Sequence, residues 1–214
     1  MQDYQRELIE YSLLQGVLSF GEFKLKSGRV SPYFFNTGLF NNGDSLARLG
    51  RSYAHALQNS GMAFDMLFGP AYKGIPLVSS LSIALAEHFQ RSVPYCFDRK
   101  EEKDHGEGGI TVGAPLAGRV LIVDDVISAG LSVNHSVDLI RRCQAVPAGV
   151  IIVLDRQERG SGKLSAIQEV EQQQKMTVIS VIKLDNIVEY LEEQGDMAQH
   201  VEKIRQYSLE FGCK

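Results

Sequence analysis

Two adjacent carboxylates at the end of an apolar run, followed at once by small residues, can bind a particular kind of ligand. The run Val120-Leu121-Ile122-Val123 leads into Asp124-Asp125 and then into Val126-Ile127-Ser128-Ala129-Gly130-Leu131-Ser132. The four apolar residues read as a buried strand, and the stretch from about Leu131 reads as a helix. Backbone N–H groups of the 128–132 turn, added to the positive end of the helix dipole, make an anion cradle. Ser128, Ala129 and Gly130 are small enough for a phosphate to approach the backbone. The two carboxylates can accept hydrogen bonds from a diol or hold a hydrated magnesium ion. A phosphate site beside a diol or metal site fits a sugar phosphate. An acidic pair alone more often just ends a strand before a capped helix, so the combination carries the argument.

Three other clusters have chemistry to offer, each beside a blander role. Phe68-Gly69-Pro70-Ala71-Tyr72-Lys73-Gly74 follows a second apolar run. Its glycines allow an unusual backbone path and Lys73 can set a point charge on a phosphate; an exposed turn lysine is the plainer role. Asp98-Arg99-Lys100-Glu101-Glu102-Lys103-Asp104-His105-Gly106-Glu107-Gly108-Gly109 is a mixed-charge run of the kind that usually forms a solvated loop. Its length and glycines also suit a lid, and Arg99, Lys100, Lys103 and His105 suit a polyphosphate. Arg156, in Asp155-Arg156-Gln157-Glu158-Arg159-Gly160, can grip a carboxylate bidentately or form a surface salt bridge. Two nucleotide motifs are excluded. A G-x-x-x-x-G-K-[ST] loop fails because Ile75 follows Gly74, and no G-x-G-x-x-G follows a strand.

The elements that must hold these residues follow from hydrophobic period. Tyr4, Leu8, Tyr11 and Leu14 recur at helical spacing. A segment of turn and strand character follows, from Phe20 to Phe35. Asn42-Gly43-Asp44 starts a helix that Gly61 stops. Beyond it, strands at Phe64 to Phe68, Val93 to Phe97, Val120 to Val123, Val150 to Leu154 and Met176 to Ile182 alternate with helices at Pro76 to about Phe89, Leu131 to Cys143 and Leu164 to Gln172. The polar stretch from Arg99 to Gly113 reads as a loop. C-terminal helices carry Leu184, Ile187, Tyr190 and Leu191. Such alternation predicts an α/β fold, a parallel sheet covered on both faces that binds ligands at the carboxyl ends of its strands. The expected organisation is a single domain over 1–214, with an N-terminal helix and hood over about 1–42, a core over about 43–183 and C-terminal helices over about 184–214.

The chain has 214 residues, 44% of them hydrophobic, and a net charge of −4, so it lacks the basic excess of a nucleic-acid binder. Three scattered cysteines, Cys96, Cys143 and Cys213, indicate neither a zinc site nor a disulfide framework. The N-terminal residues lack the apolar core of a signal peptide and no apolar run is long enough to span a bilayer. The expectation is a cytoplasmic protein with reduced thiols and no nucleic-acid or membrane partner.

The 120–132 stretch closely resembles the signature loop of the type I phosphoribosyltransferases, which binds phosphoribosyl pyrophosphate. The 98–109 run closely resembles the catalytic loop of the orotate-specific branch, which closes over the partner subunit's site in a homodimer. Phe23-Lys24-Leu25-Lys26-Ser27-Gly28-Arg29 with Ser31-Pro32-Tyr33-Phe34-Phe35-Asn36 resembles that family's N-terminal hood. The likeness covers about Tyr4 to Phe211 in matching order. It implies a type I phosphoribosyltransferase core with a small hood, transfer of a phosphoribosyl group to N1 of orotate, and a homodimer sharing the 99–113 lid. It implies that Tyr72 and Lys73 contact the pyrophosphate, that Lys26 reaches the donor and base, and that Arg156 faces the orotate carboxylate. Phe34 and Phe35 would line the pyrimidine pocket, with one of the pair packing into the core. Catalytic roles fall on Lys103, His105, Asp124 and Asp125. Magnesium would be held mainly through the substrate, with Asp124 and Asp125 as the protein's candidate ligands. Two departures stand out: Ser128 replaces a frequent Thr, and Leu131 replaces a common hydroxyl residue, costing one side-chain contact to the 5′-phosphate. The alternatives are a phosphoribosyltransferase for another base, which Arg156 and the hood argue against, and a catalytically silent sensor of the donor. The sensor would need a partner- or DNA-binding element, which the sequence does not display.

Overall fold

Along the central strands, buried side chains alternate between two cores, because successive residues of a strand point to opposite faces. Leu67, Leu121, Val123, Ile151 and Val153 join one cluster, while Met66, Phe68, Val120, Ile122, Val150 and Ile152 join the other. A strand that is apolar on both faces requires cover on both, and that pattern fixes a three-layer fold. The computed structural model describes residues 1–25, 27–103, 109–128, 130–160, 162–195 and 197–213, with only the backbone of Glu102 and Lys103.

The described chain runs α1 (Asp3–Leu14), β1 (Leu18–Lys24), β2 (Val30–Phe35), a 3-10 turn (Thr37–Leu39), α2 (Gly43–Ser60), β3 (Met66–Gly69), α3 (Gly74–Phe89), β4 (Tyr95–Lys103), β5 (Gly109–Gly113), β6 (Arg119–Val123), α4 (Leu131–Arg142), β7 (Val146–Asp155), α5 (Ala166–Gln174), β8 (Thr177–Lys183), α6 (Leu184–Gln194) and α7 (Ala198–Phe211). One sheet has the order β5-β4-β3-β6-β7-β8. The pairs β3–β4, β3–β6, β6–β7 and β7–β8 are parallel, and β4–β5 is antiparallel. Residues of α4 and α5 such as Val133, Val137 and Val170 cover one face. Leu49, Tyr53, Leu81, Leu85, Ile187 and Ile204 from α2, α3, α6 and α7 cover the other. The expected α/β fold, with a parallel sheet covered on both faces, is therefore what forms. Strand order reverses at β3, whose sequence successor β4 lies on one side and β6 on the other; this switch opens a crevice at the strands' carboxyl ends.

The start and stop signals of α2 work as read. Asn42 caps it by accepting from the Ser45 N–H at 3.0 Å, and Gly61 ends it at φ +65°. The segment of strand character near the N-terminus is an antiparallel hairpin, with Leu18 opposite Phe35 and Lys24 opposite Val30.

One expectation is overturned. The stretch from Arg99 to Gly113 is not a loop throughout: β4 continues to Lys103 and pairs back with β5, placing Phe97 opposite Val112 and Asp98 opposite Thr111. The physical reason is that Ile110 packs against the second core, so the outer arm has an apolar footing that its glycines and charges mask. Residues 104–108 lie outside the described residues. Cys96 sits in β4 fully buried, where desolvation pushes its thiol up to about 12. Among the described residues no helix is long and apolar enough to cross a membrane.

Candidate active site

The crevice at the switch collects residues from three connections. Asp124 and Asp125 leave β6 at its carboxyl end and are 7% and 6% exposed. The backbone carries them: the Asp124 N–H donates to the Ile151 carbonyl at 3.0 Å, and the Val153 N–H donates to the Asp125 carbonyl at 2.9 Å. From the opposite layer, the buried Tyr53 hydroxyl donates to the Asp124 carbonyl at 2.8 Å.

The two carboxylates then differ. Asp124 faces the anion turn: its Oδ2 accepts from the Ser132 hydroxyl at 2.9 Å, and its Oδ1 from the Asp125 N–H at 2.9 Å. Burial and the neighbouring Asp125 charge raise its pKa to about 6. Asp125 faces the cleft and accepts positive charge. Its Oδ2 takes the Lys73 ammonium at 2.5 Å and the Thr37 hydroxyl at 2.7 Å, and Lys73 also reaches the Thr37 Oγ1 at 3.1 Å. The Lys73 side chain is 61% exposed, so this pair contributes no more than about 1 kcal/mol. A ligand with its own hydroxyls and phosphates can therefore take both partners over.

The turn after the acids leads straight into α4. Gly130 is buried at φ +68° and begins α4, which has no side-chain cap among the described residues. A Cβ there would meet the Val170 Cγ2 at 3.0 Å, so glycine is required by both conformation and space. Val126 and Ile127 are half-buried, Ser128 is exposed, and Leu131 is 76% exposed, with its side chain turned to solvent. Ser132 is the hydroxyl bonded to Asp124.

The β3–α3 connection approaches from the other side of the switch. It folds on itself so tightly that a Cβ on Gly69 would lie 2.3 Å from the Gly74 carbonyl oxygen. This brings Lys73 to Asp125 and leaves Tyr72 72% exposed, with the Lys100 Nζ 5.9 Å from its ring centroid. Lys100 and Tyr72 thus meet across the gap between β4 and this connection. Arg99 donates to the Gly109 carbonyl at 3.3 Å, across the hairpin.

Arg156 follows β7 and is not a free guanidinium. Its Nε donates to Glu158 at 2.8 Å, its Nη2 to the Ser31 hydroxyl at 3.0 Å, and its Cζ lies 4.2 Å from the Tyr33 ring centroid. Burial works to lower its pKa, but Tyr33 and Glu158 outweigh burial and raise it, so the cation is secure. The hood therefore spans both ends of the crevice, holding Arg156 through Ser31 and Asp125 through Thr37. Phe34 is 37% exposed and stacks on Phe23 at 5.5 Å, whereas Phe35 is 8% exposed and belongs to the core. Strand alternation separates the pair, and the packing member is Phe35. Lys26, His105 and Ala129 lie outside the described residues, and Lys103 is described as backbone in β4.

Sequence reasoning missed Thr37, Tyr53 and Asp98. Thr37 gave a faint signal, a polar Asn36-Thr37-Gly38 turn after an aromatic strand; Tyr53 read only as a core position. No cluster of three His, Cys, Asp or Glu suited to a metal occurs among the described residues, so any ion here relies on oxygens that a ligand brings.

A family model described as "Phosphoribosyl transferase domain" matches residues 38–182. The orotate phosphoribosyltransferase of Thioalkalivibrio sulfidiphilus is 59% identical over 212 residues, covering 99% of this chain and 100% of the relative. That of Salmonella typhi is 58% identical over 212 residues with the same coverage. Among solved structures, the orotate phosphoribosyltransferase of Francisella tularensis superposes with a TM-score of 0.88 at 42% identity, covering 96% of this chain and 99% of that one.

Proposed function

Because this chain belongs to the orotate phosphoribosyltransferase family, we propose that it moves the 5-phosphoribosyl group from phosphoribosyl pyrophosphate to N1 of orotate. The products are orotidine 5′-monophosphate and pyrophosphate, a step of pyrimidine biosynthesis. The observation that carries this reading is the meeting of Asp125, Lys73 and Thr37 beside the open turn of α4. Two acids for sugar hydroxyls, amides for one phosphate and a lysine for another match the parts of one donor molecule.

The 5′-phosphate is assigned to the 128–132 amides, where the helix dipole favours an anion. The ribose hydroxyls fall to Asp124 and Asp125, which also stabilise positive charge on the ring as the glycosidic bond lengthens. Lys73 and Tyr72, with Arg99, Lys100 and Lys103 from the hairpin, face the departing pyrophosphate, and His105 joins them in this assignment. Catalysis of this kind is positioning and electrostatics. Orotate reacts as an anion, so no essential base is assigned. Arg156 receives the base's carboxylate, with Lys26 and the exposed Phe34 beside it; Phe35 supports them from the core.

Magnesium fits this site: two adjacent oxygen acids are present, and Asp125 already accepts a cationic partner. Asp124 and Asp125 would hold the ion together with the donor's phosphates, and when bound it would neutralise charge growing on the leaving group. The 99–113 lid is assigned to the partner's crevice in a homodimer, closing it against water. Reduced thiols suit a cytoplasmic setting.

The test is pyrophosphate release on mixing donor, magnesium and orotate, run beside uracil and hypoxanthine. Release with orotate alone is expected. Release with another base in its place would reassign the substrate, and no release with any base would leave only a donor-binding protein.

A further inference from the structure

Asp98 opens the charged run yet is 2% exposed, while Arg99 beside it is half-buried and Lys100 is exposed. It lies on β4 one residue beyond Phe97, which is level with Gly69, the last residue of β3. Its Oδ1 accepts the Ala71 N–H at 2.5 Å, and its Oδ2 is 3.6 Å from the His135 Nε2 on α4. A buried carboxylate is costly and persists where fixed donors hold it.

The loop it grips is closed on itself by the Gly74 N–H donating to the Pro70 carbonyl at 2.9 Å, but few of its side chains tie it to its surroundings. Gly69 and Gly74 have no side chains, Tyr72 is largely exposed with the Lys100 ammonium near its ring, and Lys73 is held by Asp125 and Thr37. On the reading above, the donor takes over those last two contacts, so the loop loses its tie to Asp125 and Thr37 when its position matters most. The Asp98–Ala71 bond lies on the far side of the loop and is untouched by that exchange. The next residue along β4 is Arg99, so the same anchor sets the base of the basic hairpin relative to the loop.

We propose that Asp98 is a positioning residue for the leaving-group side of the reaction, fixing the Ala71 amide so that Tyr72 and Lys73 stay aimed at the pyrophosphate. This rests on the assignment of the 70–73 loop to pyrophosphate. The test is steady-state kinetics with donor and orotate varied separately, for Asp98→Ser, Asp98→Asn, Asp98→Glu and a Lys73→Gln control, each with its unfolding temperature. Serine is too short to reach Ala71, and its donor KM should rise roughly tenfold or more while orotate KM stays within about twofold, because small misplacements of a binding loop are expensive. Asparagine keeps an oxygen at the same reach, and donor KM should return to within about threefold of the parent. If the serine protein does not fold, glutamate, one methylene longer, should push the loop and raise donor KM alone.

Unchanged donor KM in the folded serine or glutamate protein overturns the proposal. So does an equal rise in both KM values, or an asparagine variant as impaired as serine. Lys73→Gln separates the two levels: if it leaves donor KM unchanged, the loop assignment itself fails. If it raises donor KM while the Asp98 variants do not, only the role of Asp98 fails.

Discussion

At the scale of single residues, Asp124 is set by its surroundings: burial first, and then the neighbouring Asp125 charge, disfavour its ionised form. Asp124, raised to about 6, binds a proton in the folded protein over a range where the unfolded chain, near 3.8, has released it. The folded state holds more protons there, so stability falls as pH rises from about 4 to about 6, by up to about 3 kcal/mol. Asp124→Asn should flatten that slope; denaturant unfolding at pH 4 and pH 7 measures it, and a slope unchanged in the variant refutes the assignment. Sugar hydroxyls need the ionised acid, so kcat/KM for the donor should climb through the same range. Arg156→Lys should raise orotate KM by about two orders of magnitude, since a point charge cannot copy a planar fork seated over Tyr33. An effect below threefold would remove Arg156 from base recognition. The acid pair and Lys73 were legible because rare combinations of small and charged residues carry chemistry. Thr37 was not, since a lone threonine in a turn is chemically silent until the fold sets it between Asp125 and Lys73.

At the scale of elements, the doubly covered strands were readable from apolar runs, and α2 from its Asn42 and Gly61 signals. The β4–β5 hairpin was not. Its outer arm alternates Ile110 and Val112 with Thr111 over only five residues between glycines, too short a pattern to outweigh the charges next to it. Lys103 is the last residue of β4 rather than part of a loop. Lys103→Ala should lower kcat far more than it weakens orotate binding, and an unchanged kcat would refute the assignment to the lid. The β3–α3 connection makes a separate demand. A methyl on Gly74 would lie 2.6 Å from the Pro70 Cδ and 2.7 Å from the Gly69 carbonyl carbon. Gly74→Ala should thus destabilise by about 1–3 kcal/mol and raise donor KM; a thermal melt matching the parent would show that the loop can relax.

At the scale of the whole molecule, the parallel pairing of β4, β3, β6 and β7 brings the site connections together at the carboxyl ends of these strands. The sequence implied a parallel sheet, but strand order lies in long-range pairing that periodicity does not encode. A homodimer that shares its hairpins makes a prediction no monomer can meet. Mixing inactive Lys103→Ala and Asp125→Asn proteins should restore about a quarter of the parental activity, because random exchange pairs one intact hairpin with one intact crevice in half of the dimers. Sedimentation of the mixture should show a single species; inactivity after exchange would place hairpin and crevice in the same subunit. The buried Cys96 thiol adds a practical consequence. It lies in β4, between β3 and β5, shielded and held protonated, while Cys143 is open to solvent. An alkylating reagent should therefore consume Cys143 at once and reach Cys96 only when the sheet's outer strands part. The slow phase of labelling becomes a clock for fraying of the strand that presents the basic hairpin, readable by mass spectrometry without an added probe.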